Sequence, residues 1–279
     1  MSDNIEFRLA GGQNPLILVP VYLDDRGPYQ FILDTGASHC LLTEELSVAL
    51  GVRPEAEKQA MGAGGAVKLT FGHVNAISVG STRQDNAEVA ITSEIQRIAA
   101  AIRNAVDGVL GFSFLKDYIL AIDYRAQVLS LAHPPLPGGG NESRSVPFQL
   151  ASASKPLILV PARVNGQGPF QFALDTGASR TMLSSEFAAQ LAIETSDDSP
   201  ATGGGGQIRI LAGSVCSLAV GNVAVRDHAI GAVEFLSMLS TAVGAKLDGI
   251  LGHNFLSQFK VAINYPGRIL TLNPVGLET

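Results

Sequence analysis

The chain contains the sequence FILDTGAS at residues 31–38, and it contains FALDTGAS at residues 172–179. The aspartates of the two copies, Asp34 and Asp175, are 141 residues apart. Each copy begins with an apolar run, so we expect each aspartate at the end of a buried strand. Two equivalent loops can bring their carboxyls together across a pseudo-twofold axis. Carboxyls in contact cannot both ionise easily, and they can share one proton across a water molecule.

The repeat extends far beyond this motif. PLILVP at residues 15–20 returns at 156–161, and DGVLG at 107–111 returns as DGILG at 248–252, always with the same 141-residue offset. Between residues 15 and 52, 19 of 38 aligned positions are identical. We interpret this as a tandem duplication that gives two lobes of one fold, because a solenoid needs at least about three repeats of roughly 20–50 residues.

The segment between the two copies is rich in proline, glycine and polar residues and has no periodicity, which is typical of a linker. We therefore predict an N-terminal lobe at residues 1–133, a linker at 134–145 and a C-terminal lobe at 146–279. The length of 279 residues fits two units of roughly 150 residues each.

The composition excludes several classes of protein. The net charge of −6 comes without a long basic run, which argues against nucleic acid as a partner. The two cysteines, Cys40 and Cys216, occupy non-equivalent positions of the repeat, so we expect both as small buried residues, with a single bridge left open. The histidines do not cluster, and we predict neither a metal site nor a cofactor.

No apolar stretch approaches the ~20 residues of a membrane-spanning helix, so we expect no membrane span. The first six residues, MSDNIE, lack the basic segment and the apolar segment of a secretion signal. The sequence leaves the cellular location open.

Asp34 and Asp175 are the predicted catalytic pair. One carboxylate would take a proton from water and the other, protonated, would donate to a carbonyl, although neither can be assigned as the acid. The alternative is a turn in which each aspartate bonds its own backbone, and two copies in a full-length repeat disfavour it. The neighbouring hydroxyls can bond across to the opposite loop, and the glycines permit a tight turn. The predicted supporting residues are Thr35, Gly36, Thr176 and Gly177.

Two glycine-rich stretches are predicted as hairpin tips that fold over the carboxyl pair and bind a peptide through the main chain. A surface loop without fixed structure is one alternative. A phosphate-binding loop is another, but the Gly-Lys-Ser/Thr ending is missing. The predicted substrate-binding residues are Gly62, Ala63, Gly64, Gly65, Gly203, Gly204, Gly205 and Gly206.

Other segments are predicted as scaffold. Helical patterns occupy residues 44–50, 93–105, 185–191 and 235–243, with Thr43 and Ser184 as N-caps. Hairpin turns are expected at residues 24–28 and 165–169. DGVLG and DGILG would pass behind the aspartate loops, with Asp107 and Asp248 capping a turn or a helix end.

Together, the paired FxLDTGAS motifs, the GAGG and GGGG stretches and the DGVLG and DGILG segments make the chain resemble the retropepsin-like aspartic proteases of bacteria, with two copies fused in one polypeptide. The resemblance covers residues 7–272. It implies an all-β fold of two small β-barrel lobes with short helices, related by a pseudo-twofold, and a site in the cleft between them. Retroviral enzymes build this site by dimerising, whereas pepsin-like enzymes build it in one chain, so we expect a monomer. Ala37 and Ala178 stand where pepsin-like relatives often carry serine.

The resemblance implies an aspartic endopeptidase that acts on a peptide or protein substrate without a cofactor. Relatives of this type are often exported to the periplasm. Two alternatives stay open, namely a catalytically silent peptide-binding module on the same fold and a narrow-specificity, amidase-like processing protease. The intact pair of aspartates favours an active enzyme, because a silent copy usually loses one of them.

Overall fold

The computed structural model describes residues 4–134, 144–197 and 200–275. The first three residues, which belong to the segment MSDNIE, and residues 135–143 of the predicted linker lie outside the described residues. The predicted lobe boundaries therefore stay a prediction.

The N-terminal lobe carries eleven strands and three short helices in its described part. The strands are β1 (Ile5–Glu6), β2 (Arg8–Ala10), β3 (Leu16–Leu23), β4 (Arg26–Leu33), β5 (Cys40–Leu42), β6 (Ala56–Gly62), β7 (Gly65–Val79), β8 (Thr82–Ile91), β9 (Gly108–Leu110), β10 (Ile119–Asp123) and β11 (Val128–Ala132). The helices are α1 (Glu44–Leu50), α2 (Glu94–Ile102) and α3 (Phe112–Leu115).

The C-terminal lobe repeats this order, except that the counterparts of β6 and β7 are each divided into two shorter strands. The strands are β12 (Ser145–Pro147), β13 (Gln149–Leu150), β14 (Ile158–Val164), β15 (Gln167–Leu174), β16 (Met182–Ser184), β17 (Thr195–Asp197), β18 (Ala201–Gly203), β19 (Gly206–Ile208), β20 (Leu211–Val220), β21 (Val223–Val233), β22 (Gly249–Leu251), β23 (Phe259–Asn264) and β24 (Ile269–Pro274). The helices are α4 (Ser185–Gln190), α5 (Phe235–Val243) and α6 (His253–Leu256).

Each lobe contains a closed six-stranded β-barrel. In the N-terminal lobe the order is β3, β4, β9, β5, β8 and β7, and the barrel closes where Tyr22 of β3 pairs with Ser78 of β7. In the C-terminal lobe the order is β14, β15, β22, β16, β21 and β20, and Ala162 pairs with Val220 to close it. Alternate side chains fill the interior of such small barrels. The predicted all-β class, with two barrel lobes and short helices, is confirmed.

The hairpin of β3 and β4 delivers the first aspartate motif. Its turn is formed by Asp24 and Asp25, which have φ of 51° and 62°. In the C-terminal lobe Asn165 and Gly166 take these positions, with φ of 51° and 77°. Two successive residues of positive φ match the twist of the flanking strands. The predicted five-residue turns were therefore too long, because the Gly-Pro pairs at 27–28 and 168–169 lie inside β4 and β15.

One six-stranded sheet joins the two lobes. Its order is β1, β11, β10, β23, β24 and β12, with three strands from each lobe and an antiparallel junction between β10 and β23. Because main-chain hydrogen bonds cross this junction, the barrels are held in one fixed relative orientation.

The short helices largely follow the sequence prediction. α1 and α5 have the predicted bounds, and α4 ends one residue early. Thr43 Oγ1 accepts a hydrogen bond from the amide of Leu46 at 3.2 Å, and Ser184 Oγ accepts one from Phe187 at 3.1 Å. Both are the N-caps expected from sequence. α2 is shorter than the predicted 93–105 because Arg103 ends it in the left-handed conformation.

The two cysteines differ in environment. Cys40 is buried in the barrel and Cys216 is exposed on β20, and both are free thiols. The prediction of a buried residue was wrong for Cys216, because side chains alternate along a strand and its neighbour Val215 takes the buried face. Among the described residues, no helix is long and apolar enough to cross a membrane.

Candidate active site

The two aspartate loops leave the barrels at the ends of β4 and β15. The amide of Asp34 donates to the carbonyl of Leu110 at 3.1 Å, and the amide of Asp175 donates to that of Leu251 at 3.1 Å. These bonds continue the parallel pairing of β4 with β9 and of β15 with β22. Each carboxyl therefore starts from a backbone position that a buried sheet holds in place.

The threonines of the two loops bond across the pseudo-twofold axis. The amide of Thr35 donates to Thr176 Oγ1 at 3.0 Å, and the amide of Thr176 donates to Thr35 Oγ1 at 3.1 Å. Each hydroxyl in turn donates to the opposite strand, from Thr35 to the carbonyl of Leu174 at 3.1 Å and from Thr176 to that of Leu33 at 2.8 Å. Both side chains are buried. Four hydrogen bonds in a water-poor interior thus lock one loop to the other.

The motif glycines let the carboxyls approach each other. A Cβ added to Gly36 would lie 2.9 Å from Cγ of Asp175, and one added to Gly177 would lie 2.6 Å from Cγ of Asp34. Real Cβ atoms do not tolerate such separations, so each carboxyl packs on the opposite glycine. The two carboxyls are therefore close enough for each to change the pKa of the other.

Backbone amides orient both carboxyls. Oδ1 of Asp34 accepts from Gly36 at 2.8 Å and from Ala37 at 3.0 Å, and Oδ1 of Asp175 accepts from Gly177 at 2.8 Å. The Oδ1 atom of each carboxyl is therefore held by the main chain. This leaves each Oδ2 as the atom available for a shared proton or a water.

Burial raises the pKa of both aspartates. For Asp34 burial is the largest influence on the pKa, and hydrogen bonding with Asp175, Gly36 and Ala37 opposes the increase. For Asp175 the negative charge of Asp34 adds to the effect of burial, and its pKa lies well above the ordinary value. The two carboxyls titrate as one system and hold a proton between them at weaker acidity than an isolated carboxyl does.

The DGVLG and DGILG segments pass behind the aspartate loops. The ring of Phe31 occupies the space that a Cβ of Gly108 would need, and the ring of Phe172 does the same at Gly249. Asp107 Oδ2 accepts from the strand amide of Gln30 at 2.7 Å. Its equivalent in the second lobe makes the same kind of bond to the amide of residue 171 at 2.9 Å. Asp107 and Asp248 were predicted to cap a turn or a helix end. Their carboxylates instead accept hydrogen bonds from strand amides, so that prediction was wrong.

The glycine-rich stretches form two hairpins whose tips meet. We call residues 56–71 the N-terminal flap, formed by β6 and the start of β7, and residues 201–208 the C-terminal flap, formed by β18 and β19. The amide of Gly64 donates to the carbonyl of Gly204 at 2.8 Å. A Cβ on Gly205 would lie 2.5 Å from the carbonyl oxygen of Gly65. The tips therefore pack main chain against main chain, which only glycine allows.

The N-terminal flap also reaches the other lobe. Ala63, at its tip, packs against the apolar cluster of the C-terminal lobe that Ala178 also contacts. Ala178 belongs to the Asp175 loop. The structure thus brings the predicted pair of aspartates together with their four supporting residues, and it brings the two glycine-rich tips against each other.

Two buried tyrosines close to the aspartates were not predicted as site residues from the sequence. Tyr124 and Tyr265 are repeat equivalents, both are buried, and neither hydroxyl has a hydrogen-bond partner among the described residues. Burial raises the pKa of both hydroxyls, and the negative charge of Asp175 raises both further. Their rings contact the residues that follow the DGVLG and DGILG segments, with Tyr124 against His253 at 5.0 Å and Tyr265 against Phe112 at 5.7 Å. Their positions, which differ by the 141-residue offset of the repeat, were the signal available in the sequence.

Glu94 was also not predicted as a site residue. It lies at the start of α2, where the amide of Gly205 donates to its Oε2 at 3.0 Å. Its repeat equivalent is Phe235, so the internal symmetry gives no signal for it. In the described part of the chain, no group of three or more potential metal ligands occurs.

Comparison with known proteins agrees with this geometry. A family model described as aspartyl protease matches residues 19–114 and again residues 160–255. The two matches are offset by 141 residues and together cover more than two thirds of the chain. The chain therefore belongs to the aspartyl protease family, as two tandem copies, and the resemblance inferred from its motifs is confirmed. A search among curated proteins finds no match.

Proposed function

We propose that this chain is an aspartic endopeptidase that hydrolyses peptide bonds in the cleft between its lobes, with Asp34 and Asp175 activating one water between them. The observation that carries the proposal is the close approach of two half-buried carboxyls, each packed on the glycine of the opposite loop, in loops that Thr35 and Thr176 bond to each other. Membership of the aspartyl protease family supports a peptide or protein as the substrate class.

The chemistry follows from the single shared proton. The ionised carboxylate accepts a proton from the water, whose oxygen attacks the scissile carbonyl carbon. The protonated carboxyl donates its proton to the carbonyl oxygen, which gives a neutral tetrahedral diol. The first carboxyl then passes its new proton to the amide nitrogen while the second takes one from a diol hydroxyl. The C–N bond breaks, an acid and an amine are released, and the pair again holds one proton.

The surrounding structure suits each step. The amides of Gly36, Ala37 and Gly177 fix the Oδ1 atom of each carboxyl, so the reacting geometry is in place before substrate binds. The two flaps supply main-chain groups to an extended peptide and keep bulk water from the diol. Because the flap tips are glycines, substrate backbone can approach them closely.

The test is to incubate the protein with a diverse peptide library, with and without pepstatin, and to sequence the products. We expect cuts within peptides that pepstatin suppresses and that Asp34→Asn and Asp175→Asn do not make. Peptide binding without any cut would replace the proposal by the silent binding module. Cuts confined to one or a few sequences would favour a narrow-specificity processing protease.

A further inference from the structure

The two flaps are not equivalent, although the repeat makes them counterparts. In the N-terminal flap, β6 pairs with β7 over seven positions, from Ala56 with Phe71 to Gly62 with Gly65. In the C-terminal flap, β18 and β19 pair over three positions, from Ala201 with Ile208 to Gly203 with Gly206. This short hairpin also forms a two-stranded sheet of its own. Isolated two-stranded hairpins are marginally stable, so the C-terminal flap needs support from elsewhere.

That support comes from α2 of the opposite lobe. The amide of Gly205 donates to Oε2 of Glu94 at 3.0 Å, across 111 residues of sequence. The side chain of Glu94 is only 15% exposed, and Arg97 lies 3.4 Å from the same oxygen. A hydrogen bond to a partly buried carboxylate is stronger than one between neutral groups.

The same peptide group is held on its other side. The carbonyl of Gly204 and the amide of Gly205 belong to one peptide plane, and the carbonyl accepts from Gly64 at 2.8 Å. One peptide unit therefore bonds to a carboxylate of α2 through its N–H and to the other flap through its C=O. A flip of this plane breaks both bonds, so the carboxylate defines which way the tip faces.

The helix that carries Glu94 is itself tied to the first aspartate loop. Ile95 is buried in an apolar cluster of the N-terminal lobe, and Ala37 of the Asp34 loop packs against that cluster. Glu94, the next residue along, thus sits on a rigid base that shares its packing with the reacting centre.

We propose that Glu94 is a positioning residue for the peptidase site, because its carboxylate holds the 204–205 peptide and thereby keeps the C-terminal flap closed over the carboxyl pair in one orientation. At the equivalent place the other lobe has Phe235, so the N-terminal flap lacks this bond. The two sides of the pseudo-symmetric cleft are thereby made different. The C-terminal flap is bonded to the Glu94 carboxylate, and the N-terminal flap is bonded to the C-terminal flap. The consequence for substrate turnover rests on the proposed function, whereas the flap contact itself does not.

The test replaces Glu94 by two residues whose side chains are about as long as that of glutamate, and two further variants serve as controls. Glu94→Met removes the acceptor and keeps the size of the side chain, and Glu94→Gln keeps an acceptor and removes the charge. Glu44→Met is the matched control, since Glu44 is an exposed acid in the first turn of α1 and its loss tests the effect of a missing charge at a helix start. Arg97→Ala tests the ion pair separately, because Arg97 is mostly exposed.

Amide hydrogen exchange of the C-terminal flap is the first readout, and it needs no substrate. We expect Glu94→Met to speed exchange in residues 201–208 by about tenfold, and Glu94→Gln to have a smaller effect. Glu44→Met and Arg97→Ala should exchange as the wild type does in this segment. Unchanged exchange in Glu94→Met, or an equal increase in Glu44→Met, overturns the positioning role even if the protein is a protease. If Glu94→Met exchanges faster throughout the chain, the exchange of the Glu94→Gln variant decides instead. This variant has lost the charge, so wild-type exchange of its residues 201–208 would limit the role of Glu94 to hydrogen bonding.

The second readout is the kinetics of peptide hydrolysis. We expect Glu94→Met to raise KM by about tenfold with a smaller fall in kcat, because the flap still closes on bound substrate but closes less often. Wild-type kinetics in Glu94→Met, together with faster flap exchange, would show that the bond between Glu94 and the flap does not serve catalysis. A wild-type protein that cuts no peptide refutes the proposed function and leaves the exchange result to judge the contact with Glu94.

Discussion

Ala121 pairs with Ala262, which is its own equivalent in the 141-residue repeat. The two residues occupy the middle of the antiparallel junction between β10 and β23. A residue that faces its own counterpart marks the pseudo-twofold axis, so the axis that relates the aspartate loops also passes through this junction. The junction is thus an interface between copies that lies inside one chain.

We therefore expect a functional monomer. Sedimentation should give a single chain, and specific activity should be constant on dilution, because the sheet that joins the lobes is intramolecular. A sharper test mixes two inactive variants, Asp34→Asn and Asp175→Asn. Each monomer keeps one defective site, so the mixture should stay inactive. Recovery of activity on mixing would mean that the site forms between chains.

Either Asp→Asn variant should lower kcat/KM by at least about a thousandfold with the fold intact. Each carboxyl supplies half of one proton-sharing system, so the double variant should be hardly worse than either single one. Asp117→Asn is the control, because Asp117 is exposed and lies outside the site. Circular dichroism verifies the fold. A single variant that keeps most of its turnover would refute the assignment of the pair.

The Asp175→Asn substitution should stabilise the fold at neutral pH. Burial and the charge of Asp34 raise the pKa of Asp175 above the 3.8 of an ordinary aspartate. The folded state therefore binds the proton more tightly than the unfolded state, and its stability falls as the pH rises above that value. Asp175→Asn removes this fall, so its Tm should exceed that of the wild type at about pH 7 and approach it at about pH 4. Thermal unfolding at both pH values checks this, and a Tm difference that is the same at both would contradict it.

The pH profile of activity should respond to Ala37 and Ala178. The amide of Ala37 donates to Asp34 Oδ1 at 3.0 Å, so a serine at this position places a hydroxyl near the same carboxyl. A hydrogen bond to the ionised form lowers a pKa, and alanine cannot supply it. We expect the wild type to work at mildly acidic pH, extending towards neutral.

Replacing both alanines by serine should shift this profile of kcat/KM to lower pH, and each single variant should shift it by less. An unmoved profile in the double variant, or a wild-type optimum confined to strong acid, would show that another feature sets the titration of the carboxyl pair.

The threonine cross-bonds should contribute to the stability of the fold. Thr35→Val keeps the shape of the side chain but leaves the amide of Thr176 and the carbonyl of Leu174 without their partner. An unsatisfied buried polar group costs about 1–3 kcal/mol, so the free energy of unfolding should fall by at least that much. Thr35→Ser retains the hydroxyl and is the matched control. Chemical denaturation measures both, and equal stability of the two variants would rule out the cross-bonds as the cause.

Much of this arrangement was predictable because its signals are local or repeated. The 141-residue offset, together with the two apolar runs that end in Asp34 and Asp175, predicts two lobes with one carboxyl loop each. Helix bounds and the caps at Thr43 and Ser184 follow from short-range hydrogen bonding, which is independent of the rest of the chain. A duplicated motif is informative because two copies under one constraint rarely arise by chance.

Other features depend on contacts that no local pattern encodes. The exposure of Cys216 follows from strand register, the burial of Tyr124 and Tyr265 from the junction between lobes, and the bond from Gly205 to Glu94 from two segments 111 residues apart. Glu94 is also where the repeat is broken, so symmetry could not point to it. The repeat specifies what the two lobes share, since each copy folds by the same rules. The asymmetry of the flaps arises only where the lobes touch, because there a carboxylate from one lobe meets a peptide group of the other.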